Sequence, residues 1–440
     1  MLLNISKYHN KYINHRYITL CILYITVITL PWNLFKVWRP ESAYINGHFI
    51  DYLAPKLYFS QLLIWMLWGW TLVSTRGRAF LIAHFPLKRN RLLPILLVGL
   101  ILGWQILYLQ DFSYTVWLFN LLSGPILFGL WIVTFSNLFL GKDFHKKILM
   151  AIIVATTLQA LVGLTQFATQ MNQTPYWLFG ETTFAPYKGL ALSNLSSIQL
   201  ILPYGTTPHP NILASWILIG MLSIIIHWYI GKYHRLLIVV FFFFLSLALW
   251  LTESWTAWTS LPVLIWMVWL IQRRIAFQFG FSSLKKVVIT TILLIQACWL
   301  TLPLWLSVLS EILPLESTSI LRRIHLEEVT LQALRWRPFG MRLSEYFQTI
   351  FQAETSYIGS HFLQPVHNAG LYVVISMGFW TIILLSLFAI YVQKYYSLFF
   401  LLLIALLPIF NLDHYLLSLM SGQYVLVLFF INLYILTNKK

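Results

Sequence analysis

The sequence predicts an all-α integral membrane protein of about twelve spanning helices. Both termini would be cytoplasmic, with one large loop between spans nine and ten on the opposite side. Three observations predict this. Apolar residues make up 59% of the 440 and charged ones only 10%, where a soluble domain carries about 25% charge. The apolar residues fall in runs long enough to cross a bilayer, and basic residues collect in alternate connections between those runs.

The runs occupy residues 17–35, 57–75, 91–109, 115–139, 147–168, 209–230, 235–252, 254–271, 286–306, 367–391, 396–411 and 414–436. The first is long and aromatic-rich and lacks a small-residue cleavage site, so it is expected to stay as a span. Lys7, Lys11 and Arg16 put the N-terminus in the cytoplasm. The connections that then fall inside contain Arg76, Arg78, Lys88, Arg89, Arg91, Lys142, Lys146, Lys147, Lys232, Arg235, Arg273, Arg274, Lys285, Lys286, Lys394, Lys439 and Lys440. With the three N-terminal residues, that is 20 of 29 basic residues, accompanied by one acid, Asp143. The formal charge of +16 is therefore a topology signal, which points to anionic membrane lipids and away from nucleic acid. The 20 Trp suit a chain with many membrane–water interfaces. Cys21 and Cys298 both sit in apolar runs, so neither a disulfide nor a cysteine metal site is expected.

Residues 1–440 read as one membrane domain without linker or repeat. Three non-cytoplasmic segments are long: Lys36 to Lys56, Thr169 to Pro208, and Ser307 to Val366. The second is rich in turn residues, and backbone that irregular must lie in water or line a protein cavity. The third, residues 307–366, contains a helical stretch from about Ser319 to Trp336, with Ile320, Ile324, Leu331 and Leu334 on one stripe. Ser317 and Ser319 are candidate caps, and Pro338-Phe339-Gly340 stops the helix. Such a helix is expected to lie on the membrane over the mouth of the bundle.

That loop carries Arg322, Arg323, Arg335, Arg337 and Arg342 and no lysine. Either cation satisfies topology, but only the planar guanidinium forks onto phosphate oxygens. The plainer reading is ion pairing within the loop, for instance Arg323 with Glu327 one helical turn on. Where the loop returns to the membrane, Gln364-Pro365-Val366-His367-Asn368 places an imidazole at a helix mouth. There it could take a proton from a hydroxyl nucleophile. His361 is a secondary candidate.

Two further clusters fall on the same side, Thr206-Thr207-Pro208-His209-Pro210-Asn211 and Asp413-His414-Tyr415. Helix capping by Asn211 and by Asp413 would explain much of both. It does not explain why His209, His361, His367 and His414 gather on one face. Their spacing matches no standard zinc motif, and no metal or cofactor is expected. Nor is there a Gly-rich phosphate loop, a serine elbow or a carboxylate pair. Glu253 falls at a tight turn rather than mid-bilayer, and that scarcity of embedded charge speaks against ion-coupled transport.

From about Leu30 to the end, the chain resembles the bacterial O-antigen ligase / O-antigen polymerase family. The core of the resemblance is residues 205–391. Gly205-Thr206-Thr207-Pro208-His209-Pro210-Asn211-Ile212-Leu213-Ala214 is similar to its Gly-Thr-x-Pro-His-Pro-Asn-x-Leu-Ala segment. Arg323-Ile324-His325-Leu326, a helix, then Arg337-Pro338-Phe339-Gly340, is similar to its Arg-helix-Pro-x-x-Gly segment. Gln364-Pro365-Val366-His367-Asn368, followed by Gly378, resembles its Pro-Val-His-Asn approach to the next span.

The resemblance implies a metal-independent membrane glycosyltransferase at the outer face of the cytoplasmic membrane. It would move or polymerise glycan from a polyprenyl-diphosphate carrier onto a lipid, glycan or protein hydroxyl. His367 with Asn368 would be catalytic or acceptor-orienting. Arg323, helped by Arg322, would hold the diphosphate, with His209 and Asn211 beside it and His361, Asp413, His414 and Tyr415 in support. Two departures stand out: Ser254 is followed by Trp255 where relatives have arginine, and their Gly-x-Gly is Gly340-Met341-Arg342. Arg342 is the candidate for the missing charge. The alternatives are a lipid-linked-sugar transporter or flippase, which would need the arginines but no base, and a catalytically inactive relative.

Overall fold

Apolar runs fold as helices because only internal backbone pairing satisfies N–H and C=O groups away from water. The computed structural model describes residues 2–84, 102–103, 105–107, 112–141, 143–184, 190–193, 199–230, 235–272, 318–353, 363–383, 406, 409–410 and 413–437. Three helical stretches among them are long and apolar enough to cross a membrane: Phe112–Leu140, Phe144–Thr169 and Pro210–Trp228. Tyr17–Thr29, Phe59–Val73, Val239–Leu251 and Met420–Leu436 are shorter apolar helices that coincide with other runs. The described residues are thus mostly helical, with three helices of spanning length among them. The expected runs at 91–109, 286–306 and 396–411 lie largely outside the described residues.

In chain order the helices are α1 (Leu2–Thr29), α2 (Phe59–Val73), α3 (Thr75–His84), α4 (Phe112–Leu121) and α5 (Leu127–Leu140). They continue with α6 (Phe144–Thr169), α7 (Tyr176–Phe179), α8 (Pro210–Ile230), α9 (Arg235–Leu251) and α10 (Trp255–Gln272). The last five are α11 (Thr318–Trp336), α12 (Leu343–Ala353), α13 (Ala369–Met377), α14 (Tyr415–Ser418) and α15 (Met420–Thr437). A π-helical turn, Leu122–Ile126, joins α4 to α5 around Pro125, whose missing N–H leaves the ladder one bond short.

Of the three long stretches α8 lies deepest, 83% of its window being buried against 61% and 33% for the others. It packs on α6, α9 and α15, and its Ser223 hydroxyl donates to Asn432 of α15 at 3.0 Å. Two glutamines of α6 and Gln170 at its C-cap hold the turn that leads into α8. Gln159 Oε1 accepts from Thr206 N–H at 2.8 Å, and Gln166 Oε1 accepts from Tyr204 and Gly205 N–H at 3.0 and 2.8 Å. Gln166 Nε2 donates to Gly205 O at 2.7 Å, and Gln170 Oε1 accepts from Ile201 N–H at 2.7 Å. Non-helical backbone is thereby satisfied inside the bundle.

The all-α expectation needs one correction. Between α1 and α2 lie two antiparallel ribbons: β1 (Phe35–Val37) with β4 (Lys56–Tyr58), and β2 (Tyr44–Ile45) with β3 (His48–Phe49). The segment is too polar and too broken by Pro40 and Gly47 for a helix, so its backbone pairs across hairpins instead. A second apolar core joins this segment to the large loop. Ala43, Ile45, Ile50 and Leu53 pack with Leu326, Val329 and Ala333 of α11 and with Tyr346, Phe347 and Ile350 of α12. Leu326, Val329, Thr330 and Ala333 of α11 are buried; of the expected stripe, Leu334 packs partly buried against this core, and the Ile320 and Ile324 side chains lie outside the described residues. Leu331 is 50% exposed. The hairpin segment, distant in sequence, packs on the face that Leu326, Val329 and Ala333 form.

The turn after α11 packs backbone to backbone against the end of α13. Met341 N–H donates to Ile375 O at 2.9 Å, and Phe379 N–H to Pro338 O at 2.7 Å. Gln105 Nε2 donates to Ser376 O at 2.9 Å, so the Ile375 and Ser376 carbonyls near the end of α13 and the Phe379 amide beyond it find partners. Gly378 holds φ +57°, and a Cβ there would lie 2.2 Å from Gly340 N. Gly378→Ala is expected to cost at least about 3 kcal/mol, by left-handed strain plus a backbone clash. Gly69→Ala, in open space on α2, should be neutral. Thermal unfolding in detergent followed by circular dichroism compares the two, and equal melting would refute this account of the junction.

Candidate functional site

Four turns far apart in sequence meet at the loop-rich end of the bundle: the first turn of α11 and the turns before α8, α13 and α14. Before α8, the Thr207 hydroxyl holds the bend through Tyr204 O and His209 O at 2.8 and 3.0 Å. Pro210 then opens the helix, where its missing N–H is no loss. His209 Nδ1 accepts from Asn211 N–H at 3.2 Å, so the imidazole, and not the Asn211 side chain, satisfies this helix end. Asn211 is released for another contact: its Nδ2 donates to Asp413 Oδ2 at 3.1 Å.

Asp413 likewise does not cap α14. Its buried carboxylate accepts from Asn211 and the Thr256 hydroxyl and lies 3.8 Å from Arg323 Nη2. The expected Arg323–Glu327 pair is replaced by two longer-range contacts, because Glu327 hydrogen-bonds the Asn368 side chain. Asn368 Oδ1 in turn accepts from Leu371 N–H at 3.1 Å and caps α13. The Arg323 side chain is 24% exposed, yet its Nε–H is buried without a hydrogen-bond partner among the described residues. A guanidinium offers five donors, so this one retains unused capacity.

His367 sits one residue ahead of that cap. Its ring meets the His414 ring edge-on at 5.3 Å between centroids, and Tyr52 meets His414 from another side at 5.6 Å. His414 Nδ1 shares a hydrogen bond with Ser418 Oγ at 2.5 Å. The segment before His367 is held by Tyr346, whose hydroxyl accepts from Val366 N–H at 3.0 Å and bonds Thr330 at 2.8 Å. Tyr415 bonds Ser215 of α8 and the Thr256 hydroxyl, which ties α8, α10 and α14 together beneath Asp413.

The structure thus brings together His209, Asn211, Arg323, His367, Asn368, Asp413, His414 and Tyr415. Arg342 stands exposed before α12 and pairs with Glu345 at 3.9 Å. Trp255 is 73% exposed on the first turn of α10, against Trp258. The Arg322 side chain and His361 lie outside the described residues. Sequence reasoning missed Thr256, Ser215, Tyr52 and Tyr346, and read Glu327 only as a partner for Arg323. Single hydroxyls in apolar or amphipathic stretches carry no pattern that could have flagged them. Among the described residues, no group of three or more His, Cys, Asp or Glu could hold a metal ion.

Burial pushes the Glu327 carboxyl up to about 7, against the opposing pull of Asn368. Burial also pushes Asp413 up to about 6, although Arg323, Asn211 and Thr256 favour its charged form. Chemically the cluster offers a guanidinium with spare donors, two carboxyls that hold protons unusually well, and an imidazole at its edge. Compared with known proteins, the chain matches no family model, no curated protein and no solved structure.

A carboxyl that binds its proton more tightly when folded makes stability fall as pH rises from its ordinary range to its folded value. For Glu327 that window is about 4.5 to 7. The wild-type melting temperature should therefore decline across that window, and Glu327→Gln should decline less steeply. A melting series in detergent checks this, and parallel curves for the two proteins would remove Glu327 from the account.

Proposed function

We propose that this chain is a polytopic membrane glycosyltransferase of the O-antigen ligase / O-antigen polymerase kind. In this reading it has about twelve spans, cytoplasmic termini, and its site on the non-cytoplasmic face of the cytoplasmic membrane. It transfers or polymerises a polyprenyl-diphosphate-linked oligosaccharide onto a lipid, glycan or protein hydroxyl. The observation that carries the reading is that Arg323, whose buried Nε–H has no hydrogen-bond partner among the described residues, pairs with Asp413 while His367 packs on the neighbouring His414, at one end of an apolar helical bundle.

The acceptor hydroxyl oxygen attacks the anomeric carbon of the donor sugar and forms the new glycosidic bond. The bond from that carbon to the diphosphate oxygen breaks, and the carrier diphosphate leaves with the electron pair. His367 takes the acceptor proton, while Arg323 forks onto the departing phosphate oxygens and balances their growing charge. Asn368 and Glu327 hold the turn that presents His367, and Asp413 orients Arg323 until the phosphate arrives.

His367→Ala should lower glycan transfer about a hundredfold or more and leave donor binding nearly intact. Arg323→Lys should weaken both donor binding and turnover, since an ammonium keeps the charge but loses the fork. Both are measured in membrane vesicles with a lipid-linked oligosaccharide, scoring transfer and carrier translocation side by side. Undiminished transfer in His367→Ala together with lost translocation would favour a flippase. A wild type inactive in both assays would favour a role without catalysis.

A further inference from the structure

The turn that closes α11 has a surface the proposed chemistry does not use. Arg335, Trp336, Arg337 and Phe339 are all exposed, and Trp336 at 85% is the most exposed large apolar side chain among the described residues. The turn is nevertheless rigidly built: its backbone is bonded to Gln105, Ile375 and Phe379, and Gly340 at φ +92° closes it. A tryptophan displayed on a fixed turn is not a frayed end.

Three observations identify what covers it. Gln105 and Ser376, which bracket the turn at 3.3 and 2.9 Å through Gln105 Nε2, belong to the apolar runs at 91–109 and 367–391. The turn therefore sits at the level of apolar helices and not above them. Just beyond α13, Phe379 and Ile382 are 51% and 60% exposed, so the apolar surface continues from the turn onto the following segment. Finally, residues 329–344 contain no acid, and no ion pair among the described residues engages Arg335 or Arg337. Aromatic rings with unpaired guanidinium groups are the composition of a membrane–water boundary, where rings settle among headgroups and arginine meets phosphate.

We infer that the turn 335–339 is a lipid anchor, with Trp336 and Phe339 inserted at the headgroup–acyl boundary of the bilayer and Arg335 and Arg337 on lipid phosphates. The occupant is the lipid surface itself, and the inference stands whatever reaction the site performs.

The test places a nitroxide spin label at Trp336→Cys in full-length protein carrying Cys21→Ser and Cys298→Ser. The protein is reconstituted in vesicles of phosphatidylethanolamine and phosphatidylglycerol. Collision rates with dissolved oxygen and with a water-soluble nickel chelate report depth. The expected result is an oxygen-to-nickel ratio severalfold above that of a label at Gln348→Cys, an exposed position on α12. Phe339→Cys should give the same result, which guards against a folding defect at one position. Labels at 336 and 339 that match Gln348 would overturn the anchor. So would spin–spin broadening from a second copy, with oxygen excluded, because the patch would then be a protein interface.

Discussion

Backbone that leaves a helix among apolar neighbours must find its hydrogen bonds inside the protein, and the loop-rich end of this molecule is organised by that constraint. Three of the stretches that break helical pairing there are 201–209, 337–342 and 363–368. Each meets a buried polar side chain placed to receive it. Gln159, Gln166 and Gln170 serve the first, Gln105 the second and Tyr346 the third. An unsatisfied backbone group in such surroundings costs several kcal/mol, so these side chains are as necessary to the turns as the turn residues themselves. His209 and His367, which ride on two of those turns, inherit their positions from that pairing.

The same economy of partners shapes the electrostatics. Asp413 is buried beside one guanidinium at 3.8 Å, too long for a hydrogen bond and short enough for strong attraction. Asn211 and Thr256 already occupy the carboxylate, which leaves Arg323 incompletely satisfied on its other edges. In the proposed reaction an arriving phosphate would meet a guanidinium whose Nε–H has no hydrogen-bond partner among the described residues. Its own charge meets two carboxyls, Asp413 and Glu327, whose burial already favours the protonated form. Proton uptake by either carboxyl would lessen that repulsion, so anion binding and protonation are coupled at this site by charge alone.

Much of this was legible in the sequence, for identifiable reasons. Helix positions followed from apolar runs, since length and composition alone decide them. Placing α11 at Ser319 to Trp336 came within a residue of Thr318–Trp336 because Pro338 is an unambiguous stop. The clusters at His209, His367 and Asp413 stood out as polar residues where apolar runs begin. Partnerships were harder to read. Local rules paired Arg323 with Glu327 and made Asn211 and Asp413 caps, whereas each found a partner on a different segment. The burial of Leu326, Val329 and Ala333 on α11 was not legible for the same reason, as the hairpin segment that packs on them lies about 280 residues away. A periodic pattern tells that a helix has two faces but not which one a distant segment will claim.

α11 also links the Arg323 site to the turn 335–339 mechanically. Arg323 and Trp336 lie on one unbroken helix, separated by about 20 Å at 1.5 Å per residue. The helix is held between them by Leu326, Val329 and Ala333 in the second core. If its far end rests at the lipid boundary, the height and tilt of Arg323 over the bundle are set by a rigid rod and not by loop conformation. In the proposed function the lipid-linked donor would then approach a guanidinium held at a fixed distance, about 20 Å along the helix, from that boundary. Lysine in place of Arg323 would keep the charge on that rod but lose the planar fork, and with it the orientation that a rigid mount provides.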